Sequence, residues 1–522
     1  MSSDSTPFAY DVVAYPSLVH PQSHPSQVAP KAILLGLRPA PPERCRVLEL
    51  GCGDGTNLAA MAHAFPQGTY VGIDLSAVAI ARGQALIADA GLNSVQLHAG
   101  SLTDIDASWG PFDYVIAHGV YSWVPAPVRE AVLRVTQQVL APQGVAFISY
   151  LALPGAHLRE MIRTISRFHT SATSDPERKV QEGISIIGFL GRASTEEGLY
   201  QQILRTEFEK LSTRGHSGFY HDELSDISTP FLMSEFCADA QRHGLNFLTE
   251  AEYVEAPAYA LTDEAEKTLA PLRSNRILLE QYYDFVHGRR FRQTLLCRNH
   301  HTPHLQREHL TSLYLACAAT PTDKTADLRN SEPLGFESTK RSTFRCNHAL
   351  SKAVFCELSA LYPVRLPYAE AVARGQARLG RSDPASPDDE THLRNYISRI
   401  YSPGLVEVHL GPLPFAITPG ARPVGSSLAQ AQVRRGDPTV LNLDGRSIDL
   451  MDPVLRALLL LLDGNHDRND LLREVTRIVS ILEATNEDRE GAPTIPQPDP
   501  AIMAEQLKGA LQEFARARLL VG

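Results

Sequence analysis

The run Arg46-Val47-Leu48-Glu49-Leu50-Gly51-Cys52-Gly53-Asp54-Gly55-Thr56 decides how this chain folds. Its first five residues have the apolar content of a short buried strand, and Thr56 is of the type that opens a helix. The glycines between them predict a tight strand-to-helix turn, since glycine takes positive φ without a Cβ clash and lets a ligand approach the backbone. A nucleotide-like cofactor is expected against that turn. Dinucleotide enzymes favour G-x-G-x-x-G, which seats a pyrophosphate on the helix N-terminus; here the spacing is G-x-G-x-G after Glu49.

The surroundings repeat the same alternation. Strands are expected at 69–74, 95–98, 112–117 and 144–150, with helices around 56–65, 76–90 and 127–141, the βαβ pattern of a parallel sheet. Asp74 ends the second strand 19 residues after Gly55, where a carboxylate can accept both hydroxyl hydrogens of a ribose. A cap before Ser76 is the plainer role for it. Gly100-Ser101-Leu102-Thr103-Asp104 ends the third strand, and capping competes with cofactor contact there too. After the fourth strand, His118-Gly119-Val120-Tyr121-Ser122-Trp123-Val124-Pro125 lies at the carboxyl edge of the sheet, where open α/β folds bind ligands. His118 and Tyr121 can orient an acceptor or relay its proton, or can simply pack. Upstream, Tyr10 to Tyr15 and His20-Pro21-Gln22-Ser23-His24-Pro25 form a polar, aromatic, proline-stiffened arm that either closes over the cofactor or packs on the sheet.

At 522 residues the chain exceeds one core, and 43% hydrophobic with 21% charged residues is an ordinary globular composition. The net charge of -10 and the lack of a basic stripe argue against a nucleic-acid partner. No signal-peptide pattern opens the sequence and no apolar run approaches membrane-spanning length, so a cytoplasmic protein is expected. Seven cysteines lack paired spacing, which argues against a disulfide framework. Cys297, His300, His301 and His304 lack a second ligand pair, and Cys346 with His348 resembles a ligand set still less, so no metal is expected.

These stretches together resemble class I S-adenosylmethionine-dependent methyltransferases, whose E/D-x-G-x-G-x-G loop faces the amino-acid end of the cofactor. More narrowly, the arm, the glycine loop, the 118–125 string, and Ile148-Ser149-Tyr150 with Leu153-Pro154-Gly155 resemble a bacterial family carrying a methyltransferase regulatory domain. The rickettsial outer-membrane-protein lysine methyltransferases belong to that family. Tyr220-His221-Asp222-Glu223-Leu224, Phe231 and Ser234-Glu235-Phe236 are similar to its regulatory domain, and Leu461-Leu462-Asp463-Gly464 to its C-terminal domain. The family often has Asn-Thr-Tyr-Pro-Gly-Trp where this chain has Leu151-Ala152-Leu153-Pro154-Gly155-Ala156, so its acceptor pocket is expected to differ.

The resemblance implies a Rossmann-like α/β methyltransferase sheet, then a mainly helical regulatory domain and a C-terminal mixed α/β domain. The expected boundaries are 1–155 for the methyltransferase domain with its arm, 156–214 for a helical connection and 215–300 for the regulatory domain. A linker at 301–343 and a C-terminal domain at 344–522 complete them. The sheet is expected to be complete near Tyr150. S-adenosyl-L-methionine is the expected cofactor, held by Glu49, Gly51, Cys52, Gly53, Gly55, Asp74, Leu75, Ser101, Leu102 and His118. Tyr15, His118 and Tyr121 are the expected catalytic group, and a protein lysine is the expected acceptor. Two other readings stay open: a small-molecule or natural-product methyltransferase with a pocket capped by 156–210, and a cofactor-binding module whose extra domains do the work. Oligomeric state is not legible.

Overall fold

The computed structural model describes all residues except 1–8, 197, 214, 253–260, 340–341, 402–404, 488–498 and 522. Helices α1 (Ala9–Val12) and α2 (Pro25–Leu34) precede β1 (Arg46–Leu50), α3 (Thr56–Ala64), β2 (Thr69–Asp74), α4 (Ala77–Ala90) and β3 (Val95–Ala99). There follow β4 (Phe112–Ala117), α5 (Ala126–Val139) and β5 (Leu140–Leu151), then α6 (Ala156–His169), α7 (Pro176–Leu190), α8 (Leu199–Ser212) and α9 (His216–Glu223). The chain returns through α10 (Met233–Arg242), β6 (Leu245–Glu250), α11 (Asp263–Leu269), α12 (Arg276–His287) and β7 (Phe291–Arg298).

Seven strands form one sheet in the order β3-β2-β1-β4-β5-β7-β6. β1 to β5 pair in parallel, whereas β7 runs antiparallel to both β5 and β6. Alternation along the strands divides two cores: Val47, Tyr70 and Tyr114 face one side with α2 and α3, and Leu48, Val71 and Val115 face the other with α5 and α10. Both faces being covered, the strands read as continuous apolar runs rather than as alternating ones.

The sheet is not complete at Tyr150. Leu151 to Ala146 pair with Phe291 to Leu296, so the segment expected to be a separate regulatory domain supplies two strands of the central sheet. Its other main described elements are helices. The stretch expected as a linker is also structured: β8 (Tyr314–Cys317), β9 (Thr320–Pro321) and β10 (Leu334–Glu337) lie within 301–343. With β11 (Thr343–Cys346), α13 (Ala349–Leu361), β12 (Leu366–Pro367), α14 (Tyr368–Arg378), α15 (Pro387–Ile400) and β13 (Val406–His409) they share one core with α2 and α3. A smaller core of its own joins α16 (Ser427–Arg434), β14 (Thr439–Leu441), β15 (Ser447–Asp449), α17 (Pro453–Leu461), α18 (Arg468–Glu487) and α19 (Pro500–Arg516). Among the described residues no helix is long and apolar enough to cross a membrane.

Candidate active site

The glycine turn follows β1 as its spacing predicts. Gly53 sits at φ 57° with open space where a Cβ would stand, so it presents bare backbone to a cavity of about 580 Å³. Gly55 answers a different need: at φ 71°, its Cβ would come 2.7 Å from Leu97, so it is glycine for packing.

Three carboxylates converge around this turn. Glu49 is buried at 3% exposure; one oxygen accepts from Asn57 Nδ2 at 2.9 Å, and Oε2 is buried without a hydrogen-bond partner. Burial, opposed by the Asn57 hydrogen bond, pushes the Glu49 carboxyl up to about 8. Asp74 Oδ2 accepts from the Gly53 amide at 2.8 Å and Oδ1 from the Ser76 amide at 2.9 Å, so it braces the turn and the start of α4 together. Burial raises its pKa against those two amides. Asp54 accepts from Thr56 Oγ1 at 2.7 Å and pairs with Arg82 at 3.2 Å.

The arm forms a wall of the same cavity through Tyr10, Tyr15, Pro16, Leu18 and His20. The Asp11 carboxylate accepts from Ser76 Oγ at 2.5 Å, Ser17 donates to Asp54, and the His20 amide donates to Asn57 Oδ1 at 2.9 Å. His20 stacks on His118 with ring centroids 3.5 Å apart. Burial holds His118 well below its usual range, aided by the neighbouring His20, and its Nδ1 is buried without a partner. His118 is therefore a neutral ring with an acceptor or donor to spare.

The far half of the cavity comes from elements that sequence periodicity does not bring together. Trp123, Leu151, Ile162, Leu211 and Phe291 supply apolar surface. Arg159 pairs with Asp222 at 3.0 Å and Glu223 at 2.9 Å, and its guanidinium lies 5.2 Å from the Trp123 ring centre. Opposite, Arg290 grips Glu207 through two 2.8 Å hydrogen bonds, and Lys210 joins at 3.0 Å.

Of the expected residues, Tyr15, Glu49, Gly51, Cys52, Gly53, Asp74 and His118 meet at this cavity. Gly55, Leu75, Ser101 and Leu102 do not line it. Leu75 is 61% exposed beside it, Ser101 caps the turn at Thr103, and Leu102 packs into the core. Tyr121, expected near the acceptor, lies instead in the apolar core between Tyr150, Phe231 and Phe236, its hydroxyl donating to Asp239 at 3.3 Å. The aromatic string after β4 turns inward at that residue because its ring fills space under α10. Trp123 belongs to the 118–125 string; Arg82, Arg159 and Glu207 in helices and Arg290 just before β7 escape sequence reading, since only their charge marks them. Among the described residues no cluster of His, Cys, Asp or Glu is arranged to hold a metal. Cys297 is instead in the core and His301 bonds the Leu35 carbonyl.

Comparison with known proteins gives this geometry a context. A methyltransferase domain profile matches residues 47–144, a predicted methyltransferase regulatory domain 217–298, and a PKMT C-terminal winged helix domain 421–519. The uncharacterized protein RP028 of Rickettsia prowazekii is 34% identical over 249 residues, 48% of this chain and all of the relative. RP789 of the same organism is 34% identical over 294 residues, 56% of this chain and 52% of the relative, so the chain spans about half of that protein. The structure of PKMT2 from Rickettsia typhi in complex with AdoHcy superposes with a TM-score of 0.80 at 26% identity, covering 97% of this chain and 100% of that one. Trans-aconitate 2-methyltransferase of Deinococcus radiodurans is 32% identical over 126 residues, 24% of this chain and 45% of the relative.

Proposed function

Since the chain belongs to the family of class I methyltransferases in which a regulatory domain and a PKMT winged helix follow the methyltransferase domain, we propose that it methylates lysine side chains of a protein. The observation that carries the reading is the single cavity shared by the glycine turn and by α6, α8, α9 and the start of β7. Acceptor and donor thus meet in one chamber whose outer wall is built by the added segments.

The residues fit S-adenosyl-L-methionine. Gly53 offers open backbone, the buried Glu49 Oε2 lacks a donor that an ammonium supplies, and Asp74 stands beside the turn for a ribose. The cofactor supplies an electrophilic methyl on sulfur, so no covalent residue of the protein is needed. The chain's task is to align a neutral amine and keep water out. Lysine, with an ordinary pKa near 10.4, must first lose a proton. His118, held neutral by burial with Nδ1 unpartnered, and Tyr15 on the arm are the groups we assign to orient the amine once that proton has left to solvent.

A second reading has its own support. Ile162, Glu207, Lys210 and Leu211 of the helical segment do line the cavity, as a closed small-molecule pocket requires. Incubating the protein with labelled cofactor and cell lysate separates the two: label retained after nuclease and lost to protease supports a protein acceptor, and label confined to metabolites supports a small one.

A further inference from the structure

The arm is tied on two sides along its cavity-lining stretch, and the two ties differ in kind. Toward the cofactor side it bonds the β2–α4 turn through Asp11, the glycine turn through Ser17 and Asn57 of α3 through the His20 amide. Toward α9 it is met by His221, which belongs to the matched regulatory segment and does not itself line the cavity. His221 Nε2 donates to the Val13 carbonyl at 2.6 Å. Its ring stacks on Tyr10 at 4.2 Å and 15°, and stands 5.6 Å from Tyr15. Both tyrosines are cavity-lining residues.

Burial lowers the His221 pKa, opposed by the Val13 bond, so near neutral pH the ring is uncharged with Nε2–H committed to the arm. The two residues after it are anchored as well: Asp222 and Glu223 pair with Arg159 of α6. The latch is therefore mounted on a fixed support rather than on a loose helix end.

We propose that His221 is a positioning residue that latches the arm over the bound cofactor, so that the regulatory segment sets how fast the demethylated cofactor leaves. It acts through Tyr10 and the Val13 backbone, without touching the reactants. The proposal rests on the placing of S-adenosylmethionine in this cavity. If the arm is a wall of the occupied site, ligand exchange requires the arm to move, and the strength of its hold enters the exit rate.

S-adenosylhomocysteine binding to the full chain, measured by calorimetry with stopped-flow release, tests this. Wild-type protein that fails to bind overturns the cofactor reading itself. Given wild-type binding, His221→Ala removes the hydrogen bond and the stack and is expected to speed release and weaken affinity about tenfold. His221→Gln, whose amide can restore the donor to Val13 but not the ring stack, is expected to recover part of that loss. Tyr10→Ala removes the stack together with the ring's contact to Tyr15 and its part of the cavity wall, and is expected to give at least a severalfold faster release, so it carries the test if His221→Ala does not fold. Release at the wild-type rate in a folded His221→Ala variant, or in Tyr10→Ala when the former is unfolded, overturns the latch. A merely structural histidine would lower the melting temperature and leave the release rate alone.

Discussion

Two buried clusters of carboxylates stand in the same sheet system and are built on opposite terms. At the β6–β7 end, Arg292 is fully buried and meets Glu250 at 2.7 Å, Asp284 at 2.8 Å and Glu280 at 3.0 Å, while Arg289 adds a second cation to Asp284. At the β1–β2 end, Arg82 pairs with Asp54, Asp74 accepts from two backbone amides, and Glu49 keeps a buried oxygen with no hydrogen-bond partner. Buried carboxylates that carry their own cations are architecture; a buried carboxylate short of a cation holds a proton or accepts a cationic ligand. The contrast separates structure from function within one fold.

The largest expected effect is on the satisfied cluster. Arg292→Met leaves three buried carboxylates without their shared cation and is expected to cost about 3–5 kcal/mol in urea unfolding. A loss below about 1 kcal/mol would mean that the cluster is as tolerant as a surface pair. Substitutions at the second cluster should cost less stability, some strain at the turn included, and act chiefly on binding. Gly53→Val puts a branched side chain at positive φ and into the cavity. Its effect on cofactor affinity is expected to exceed the about 1–3 kcal/mol lost in Asp74→Ala, as read by calorimetry on folded variants. Unchanged affinity in both would misplace the ligand.

Glu49 sharpens the comparison through pH. Its folded carboxyl titrates at about 8, above the ordinary 4.5, so the folded state holds the extra proton. The stability it contributes is full below about 4.5 and is lost as pH rises through about 8. Glu49→Gln should remove that decline from the unliganded protein. A cationic ligand favours the ionised form, so wild-type cofactor affinity should climb as pH rises from about 5 to about 7, before the ligand's own ammonium is lost, and the Gln variant should be flat over the same range. Parallel profiles for the two proteins would count against an ammonium at Glu49. The smallest effect belongs to the exposed pair of Arg434 and Asp89, 3.2 Å apart, which ties α16 to α4. Arg434→Ala is expected to change stability by about 1 kcal/mol or less and leave cofactor affinity unaltered, checked by the same two measurements.

How much of this was legible follows from the range of each interaction. β1 to β4 and the turn around Gly53 read directly, because strand content and glycine spacing are local. Asp74 was placed at the site, yet its bond to the Gly53 amide joins residues 21 apart and has no local sign. β7 escaped notice because its pairing with β5 spans well over a hundred residues, and its arginine, buried by partners on α12 and β6, reads as a surface charge in isolation. Tyr121 misled for a related reason: an aromatic after the fourth strand suits an acceptor site, but Phe231 and Phe236, which draw it into the core, arrive from a distant segment. The far wall of the cavity, from Arg159 to Arg290, is wholly tertiary.

The central claim is that the glycine-turn cavity delivers a methyl group to a protein lysine. Peptide mass spectrometry of a lysate treated with S-adenosylmethionine and either the wild-type chain or Gly53→Val tests it most directly. The account predicts methyl groups on lysine side chains of one or a few proteins with the wild type, absent with the folded variant. Methylation confined to small molecules, or lysine methylation that survives Gly53→Val unchanged, would contradict it.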